Sequence, residues 1–408
     1  MNRGKPVSVA HVISVWLYGS LILISGETTL RLGAFGGAVL SGSFWLSYFL
    51  MFLWFWKKRE FPIVNPRKRD RMGEKLLALS YRVEIVTFEL VLAGMLLHLV
   101  LNLPVFQAYV LTLLASLALL LLAFRVQPDF RWNNLVRLVL SLILAFFLPI
   151  YTYLQMGLET VYHNLLHYHP RVLHLEQSGL LPFLIAGTCI LFANMVAYFM
   201  NQPARSVDPP SFLRDLCLTA VIWSAAVMAF SSIAIVAITE KIEPSFLNEL
   251  SILLMKEISS SPVFFIFSVM LLLISFSSLS APAFLVGGWR GHSKEVQKLN
   301  LFEVLLPFLG GAAGLMTIFY FHWSLLDFFI LFGIFQGPLG VWKMGNLFLL
   351  GEKGGGMWIP VTGVFVAILA HIFSSASRVE MVIWSTGAAL VFLLVTRVLG
   401  SFKRVIKV

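Results

Sequence analysis

The sequence predicts an all-α polytopic membrane protein of about twelve transmembrane helices. Three observations carry that prediction. The 408 residues are 59% hydrophobic and 12% charged, with a mean hydropathy of +0.86. Apolar runs recur at the length of roughly 20 residues that crosses a hydrocarbon core. Lys and Arg gather in alternate connecting segments, as cytoplasmic loops require. A soluble domain has no interior large enough for so much apolar surface, so the bilayer must serve as solvent.

On this ruler the spans are 10–38, 42–57, 76–101, 104–124, 133–156, 179–200, 212–239, 259–288, 300–321, 324–349, 356–376 and 380–402. The boundary between the first two falls in a glycine-rich stretch. Long helical runs without an alternating ten-residue pattern exclude a transmembrane β-barrel. The first apolar run lacks a small-residue cleavage site, so no cleaved signal peptide is expected.

"KKREFPIVNPRKRDRMGEK" (57–75) holds eight basic residues and is placed inside. Alternation from there puts both termini in the cytoplasm of a cell-membrane protein. Only Arg171, Lys241, Lys256 and Arg378 then fall in outside segments. The formal charge of +10 is therefore a topology signal that also suits anionic headgroups, and no nucleic-acid partner is expected. The outer segments are 157–178 and 240–258, the second expected to form a helix lying at the membrane surface. Cys189 and Cys217 offer no disulfide framework.

Enzyme motifs are missing: no P-loop, H-E-x-x-H, G-x-S-x-G or paired-cysteine signature is present. Neither catalysis nor an organic cofactor is expected. His163 and His167 in "YHNLLHYHPRVLH" stand i, i+4 and would share a helix face, with Glu159 or Glu176 as a third metal ligand. His169 and His174 follow in the same loop, and the commoner reading of all four is an interfacial helix.

Charge inside the spans says more, because a buried charge in a bilayer normally faces a bundle interior or a water path. Glu27 and Arg31 stand i, i+4 in the first span and can pair, locking helices together. Arg82 and Glu84 are expected to reach the cytoplasmic face, whereas Glu89 lies deeper. Gly26, Gly33, Gly36, Gly37 and Gly42 weaken the first span. A broken span is tolerated where its freed backbone lines a cavity or binds something, and small residues also serve close helix packing. In the eighth span, Ser275, Ser277, Ser278 and Ser280 in "LLISFSSLSAPAFLVGG" offer hydroxyl oxygens of the kind sodium takes, or bond back to their own helix.

With "SGETTLRLGAFGGAVLSG" and "SSLS" the chain resembles the sodium:solute symporter family, and within it the bacterial proline transporters. "YHNLLHYHPRVLHL", "NQPARS" and "FGIFQGPLGVWKMGNLFL" are similar to its outer loop, the inner end of its sixth core helix and its tenth. The resemblance implies a LeuT-like fold of two inverted five-helix repeats, 1–156 and 179–350, joined by the outer loop 157–178 and followed by peripheral spans in 351–408. It implies a break in the first span near 25–28, with Ser25, Gly26 and Glu27 at a solute and ion site. Ser277 and Ser278 inherit the sodium-binding role, and Thr188 and Asn194 of the sixth span are polar candidates for the solute. Aligned without gaps, the glycine run puts Glu27 where the family has a serine.

The expected function is sodium-coupled symport of a small polar solute, such as an amino acid or organic acid. A transporter-derived scaffold or sensor is the alternative that a Glu27–Arg31 pair favours. A lipid-precursor flippase would need a cleft lined by mid-span cations, which are few here.

Overall fold

The computed structural model describes residues 9–57, 71–126, 130–168, 179–200, 209–242, 244–287, 301–345 and 357–405. Every regular element among them is helical. The helices are α1 (Val9–Trp16), α2 (Leu21–Leu32), α3 (Gly36–Lys57), α4 (Arg71–Leu101), α5 (Val105–Val126), α6 (Phe130–Met156), α7 (Leu158–Tyr168) and α8 (Leu180–Met200). They continue as α9 (Pro209–Thr239), α10 (Leu250–Ile258), α11 (Ser261–Gly287), α12 (Leu301–Phe321), α13 (Leu325–Gly345), α14 (Trp358–Ser374) and α15 (Arg378–Val405). Among the described residues nine helical stretches are long and apolar enough to cross a membrane, and Leu305–Phe321 and Trp358–Ser374 are shorter apolar helices. The protein is a multi-pass, all-α membrane protein.

Each expected span has its helix, except that the first is interrupted between α1 and α2. The chain from α2 to α3 runs through a 3-10 turn, Gly33–Phe35, so the two are counted as one apolar stretch, Leu21–Leu53. Gly33 adopts φ +71°, a left-handed conformation that glycine takes without a Cβ penalty. Five further helix ends turn on single left-handed residues: Asn102 after α4, Gly157 after α6, Lys241 after α9, His322 after α12 and Ser375 after α14. His98 and His371 bond the carbonyls of Leu103 and Ala376 just beyond two of these turns. They are packing residues of helix corners.

The chain divides into two compact units, Met1–Ser41 with Arg82–Leu180 and Pro210–Phe328, and Gly42–Tyr81 with Leu181–Pro209 and Phe329–Val408. Each unit draws helices from both halves of the sequence. In the first, α4 is the buried axis, with Phe88, Leu90, Val91, Leu92 and Ala93 wholly enclosed. Phe146, Phe147, Ile150 and Leu154 lie exposed on α6, an apolar face fit for lipid. Close approach of α12 to α4 depends on Gly310, Gly311 and Gly314. A Cβ on Gly310 would lie 2.7 Å from Val83, and one on Gly314 would lie 2.5 Å from the Thr87 hydroxyl. Thr87 Oγ1 in turn donates toward the Gly311 carbonyl at 3.4 Å. This is the small-residue packing by which membrane helices gain van der Waals contact without a hydrophobic drive.

In the second unit α3 and α8 are joined by hydroxyls. Ser43 Oγ donates to Leu184 O (3.1 Å) and Ser47 Oγ to Thr188 O (2.9 Å). Trp342 of α13, Ile359 of α14 and Ala389 and Leu393 of α15 form a buried apolar cluster.

The segment expected at the membrane surface is instead enclosed. Leu250, Ile252, Leu254 and Met255 of α10 are buried, and Ser251 approaches Gly26 of α2 so closely that a Cβ there would lie 2.6 Å from its hydroxyl. An apolar run of this length can enter the protein because α2 presents a glycine to it. Glu84, expected to reach the aqueous face, is 2% exposed within the first unit.

Gly311→Val should destabilise the protein by about 1–3 kcal/mol, the ordinary cost of overpacking a close helix contact. Unfolding of the purified protein in detergent measures it, and an unchanged midpoint would refute the assigned packing.

Candidate functional site

The first helix stops at Trp16 and restarts at Leu21, inside the protein. Leu17, Gly19 and Ser20 are buried, and Tyr18 is partly so. A non-helical stretch in a membrane must find partners for its freed backbone groups. Leu17 O accepts from Ser141 Oγ of α6 at 3.4 Å. Tyr18 O and Gly19 O accept from Leu21 N (3.2 Å) and Ile22 N (3.4 Å) in the first turn of α2. Ser20 donates both its backbone N–H (3.2 Å) and its hydroxyl (3.1 Å) to Oε1 of Glu89 on α4.

Glu89 is thus a carboxylate at the N-terminus of α2, where exposed amides and the helix dipole favour negative charge. It is wholly buried. Its Oε2 makes no hydrogen bond among the described residues, and Gly19 is needed for close packing there: a Cβ on it would lie 2.7 Å from Leu92, 3.3 Å from Oε2 and 3.4 Å from Ile274. Ser275 of α11 neighbours the carboxylate but donates its one proton to the Glu89 backbone carbonyl at 2.8 Å. Tyr18 packs on Phe88 (centroids 6.4 Å apart), and Phe88 on Phe328 (6.3 Å), so one wall of the break is aromatic.

A second charge stands near the first. Arg137 of α6 is 3% exposed. Its Nη1 donates toward Ser278 Oγ of α11 (3.4 Å), and its Nη2 toward Ser14 Oγ of α1 (3.2 Å) and Asn134 Oδ1 (3.5 Å). The guanidinium therefore touches α1, α6 and α11 at once, and it lies close enough to Glu89 to act on its charge.

The expected break at 25–28 is not where the chain breaks: α2 passes through Ser25, Gly26 and Glu27 as continuous helix. Ser25 Oγ bonds back to Leu21 O (2.6 Å). The Ser25 carbonyl receives hydroxyls from Thr28 (2.8 Å), Thr29 (3.0 Å) and Ser231 of α9 (3.3 Å). Gly26 admits α10, as described above. Glu27 Oε2 accepts from Leu326 N in the first turn of α13 (2.9 Å), and Oε1 pairs with Arg31 (3.0 Å). Arg31 also grips Asp327 with two nitrogens (3.1 and 2.8 Å) and Ser324 Oγ (2.7 Å). Ser324 and Asp327 bond reciprocally, a capping box on α13, while Asn248 takes the Leu325 N–H (3.0 Å). The first-turn amides of α13 are thereby satisfied by side chains, and the expected Glu27–Arg31 pair is a tie between helices.

Ser278 meets Arg137, and Ser277 of the same helix is half-buried. The side chain of Ser280 lies outside the described residues. Thr188 and Asn194 belong to the second unit. Thr188 bonds back to Leu184 O (2.6 Å) at the α3–α8 contact, and Asn194 is buried on an unbroken α8. His163 and Glu159 are exposed on α7, 3.8 Å apart, and no group of three metal-ligating side chains occurs among the described residues. His169, His174 and Glu176 lie outside them.

Sequence reasoning missed Arg137, Ser14 and Ser20. "RWNNLVRLVLS" places Arg137 about two turns inside the sixth helix, where an arginine is also read as a topology anchor. Only the short "LYG" run between Trp16 and Ser20 hinted at a turn.

A helix interrupted at mid-protein around a buried carboxylate and a buried guanidinium defines a membrane protein built around an internal polar site. The comparisons place its fold more narrowly. The chain is similar to Mhp1, a nucleobase-cation-symport-1 family transporter solved in a closed conformation with bromovinylhydantoin bound, with a TM-score of 0.59 and 14% identity over 96% of this chain and 94% of that one. An inward-facing Mhp1 structure gives a TM-score of 0.49 at 15% identity over 98% and 86% of the two chains. A manganese transporter from Eremococcus coleocola gives 0.48 at 13% over 95% and 93%. At 14% identity the likeness to the closed Mhp1 structure is one of fold, and it accords with the LeuT-like fold that the sequence implied. No family model matches the chain, and no curated protein does.

Arg31→Ala should cost about 2–4 kcal/mol, because it strands the enclosed Glu27 charge, less than a fully buried pair since Arg31 is one-third exposed. Pairing it with Glu27→Gln should recover most of that loss. A double-mutant cycle on detergent unfolding checks both, and additive single effects would refute the tie.

Proposed function

We propose that the chain is a secondary active transporter that moves a small polar solute, such as an amino acid or organic acid, across a cell membrane by alternating access. The observation that carries this reading is the interruption at Leu17–Ser20 beside Glu89, whose Oε2 makes no hydrogen bond among the described residues. A buried acceptor without a hydrogen bond is costly in a low-dielectric interior and is explained by a ligand that donates to it. Tyr18, Gly19, Ser20 and Glu89 are the proposed solute contacts, with Phe88 and Tyr18 covering apolar parts of the solute.

This reading moves the solute from Ser25–Glu27 to the turn before them, because those three residues already serve α9, α10 and α13. Thr188 and Asn194 take no part in it, since it rests on the first unit alone. The narrower kinship with sodium:solute symporters and bacterial proline transporters is supported by the "LGAFGGAVLSG" run. Basic segments at 57–75 and at both ends support cytoplasmic termini. The scaffold alternative is favoured by the Arg31 tie, which holds α2 to the start of α13.

Proteoliposomes containing the full chain should take up a labelled amino acid or small carboxylate saturably and show counterflow with the unlabelled solute. Glu89→Gln should weaken the apparent affinity roughly ten- to hundredfold, the worth of a hydrogen bond to a charged group. Unsaturable uptake across a broad panel, with no counterflow, would leave the scaffold reading in possession.

A further inference from the structure

The resemblance implies a sodium ion at Ser278, and the structure supplies a direct test of whether the residues there fit one. Sodium needs several oxygens free to converge on it. Ser278 Oγ, Ser14 Oγ and Asn134 Oδ1 all face the Arg137 guanidinium at 3.2–3.5 Å. The nearby Leu17 carbonyl, freed by the break, is taken by Ser141. The site does not fit a sodium ion while Arg137 stands in it.

Charge argues the same way. Two unit positive charges about 4 Å apart in a partly screened interior repel strongly enough to weaken binding on the order of a thousandfold. Arginine stays protonated in proteins, so it cannot vacate the charge to admit an ion. The site already holds a resident cation, since Arg137 is buried there.

We infer that Arg137 is the resident cation of this site and that the protein works without sodium. The guanidinium holds α1, α6 and α11 together through Ser14, Asn134 and Ser278, the cross-linking that an ion would otherwise supply. For transport, which rests on the reading above, the consequence is uptake that does not respond to a sodium gradient. Ion binding itself can be tested without any solute.

The purified full-length protein should unfold at the same temperature in sodium chloride and in choline chloride of equal ionic strength. Arg137→Ala, and independently Arg137→Gln, should acquire a sodium-specific rise in melting temperature, because the freed oxygens can then bind the ion and ligand binding to the native state stabilises it. Arg137→Lys keeps a cation in place and should remain indifferent to sodium. Specific stabilisation of the wild-type protein by sodium overturns the inference, whatever becomes of the variants. So does a folded Arg137→Gln protein that gains nothing from sodium. If the ion tests succeed and uptake still fails across the panel, the transport reading falls and the assignment of Arg137 stands.

Discussion

A helix that stops and restarts within a membrane has no water to satisfy its ends, and the organisation of the first unit follows from how this is solved. The carboxylate of Glu89 receives Ser20 through both amide and hydroxyl. The carbonyl left over at Leu17 receives Ser141. Neither partner belongs to the broken helix, so α4 and α6 must be in place before α1 and α2 can hold their angle. The charge that Glu89 introduces is balanced nearby by Arg137, which draws α11 into the same cluster. Break, anion and cation form one interdependent arrangement.

Glu27 repeats the device at another helix end. It too is an enclosed carboxylate set against the first turn of a helix, α13, and it too is accompanied by an arginine. The difference lies in completion. Around Glu27, Oε2 takes the Leu326 amide, Oε1 faces Arg31 as an ion pair, and the α13 amides are shared among Glu27, Asn248 and Ser324. Around Glu89, one oxygen makes no hydrogen bond among the described residues. A carboxylate paired on both oxygens holds structure, whereas one with an unbonded oxygen can still accept from a donor. Two glutamates of the same chemistry thus part company by the surroundings that the fold gives them.

The glycines divide in the same manner. Gly33 turns the chain with a positive φ, and Gly26, Gly310, Gly311 and Gly314 let neighbouring helices approach. Gly26 sits in the middle of a continuous helix whose geometry it does not disturb. Its small size matters to α10, which could not otherwise pack its buried apolar face there. Helix-weakening composition is therefore an unreliable sign of a break in a membrane, where close packing makes the same demand on residue size.

Composition, the length of the apolar runs and the alternation of basic segments determined that this is an all-helical membrane protein, and placed its helices to within a few residues. The same reading picked out Glu27 with Arg31, and Glu89, because a charge in the bilayer needs a protein reason wherever the chain folds around it. Hydropathy is a property of the segment, so it survives ignorance of the neighbours. Where the first helix breaks is not such a property. "SGET" and "LYGS" are comparable in propensity, and the chain is helical at one and open at the other because α10 and α13 satisfy the first while α4 and α6 satisfy the second. Likewise nothing in "SSLS" says whether its hydroxyls await an ion, since the group that meets Ser278 comes from a residue 141 positions away. Tertiary structure decided both, because hydrogen bonds and charge pairs in a low-dielectric interior are made between elements that the sequence keeps apart.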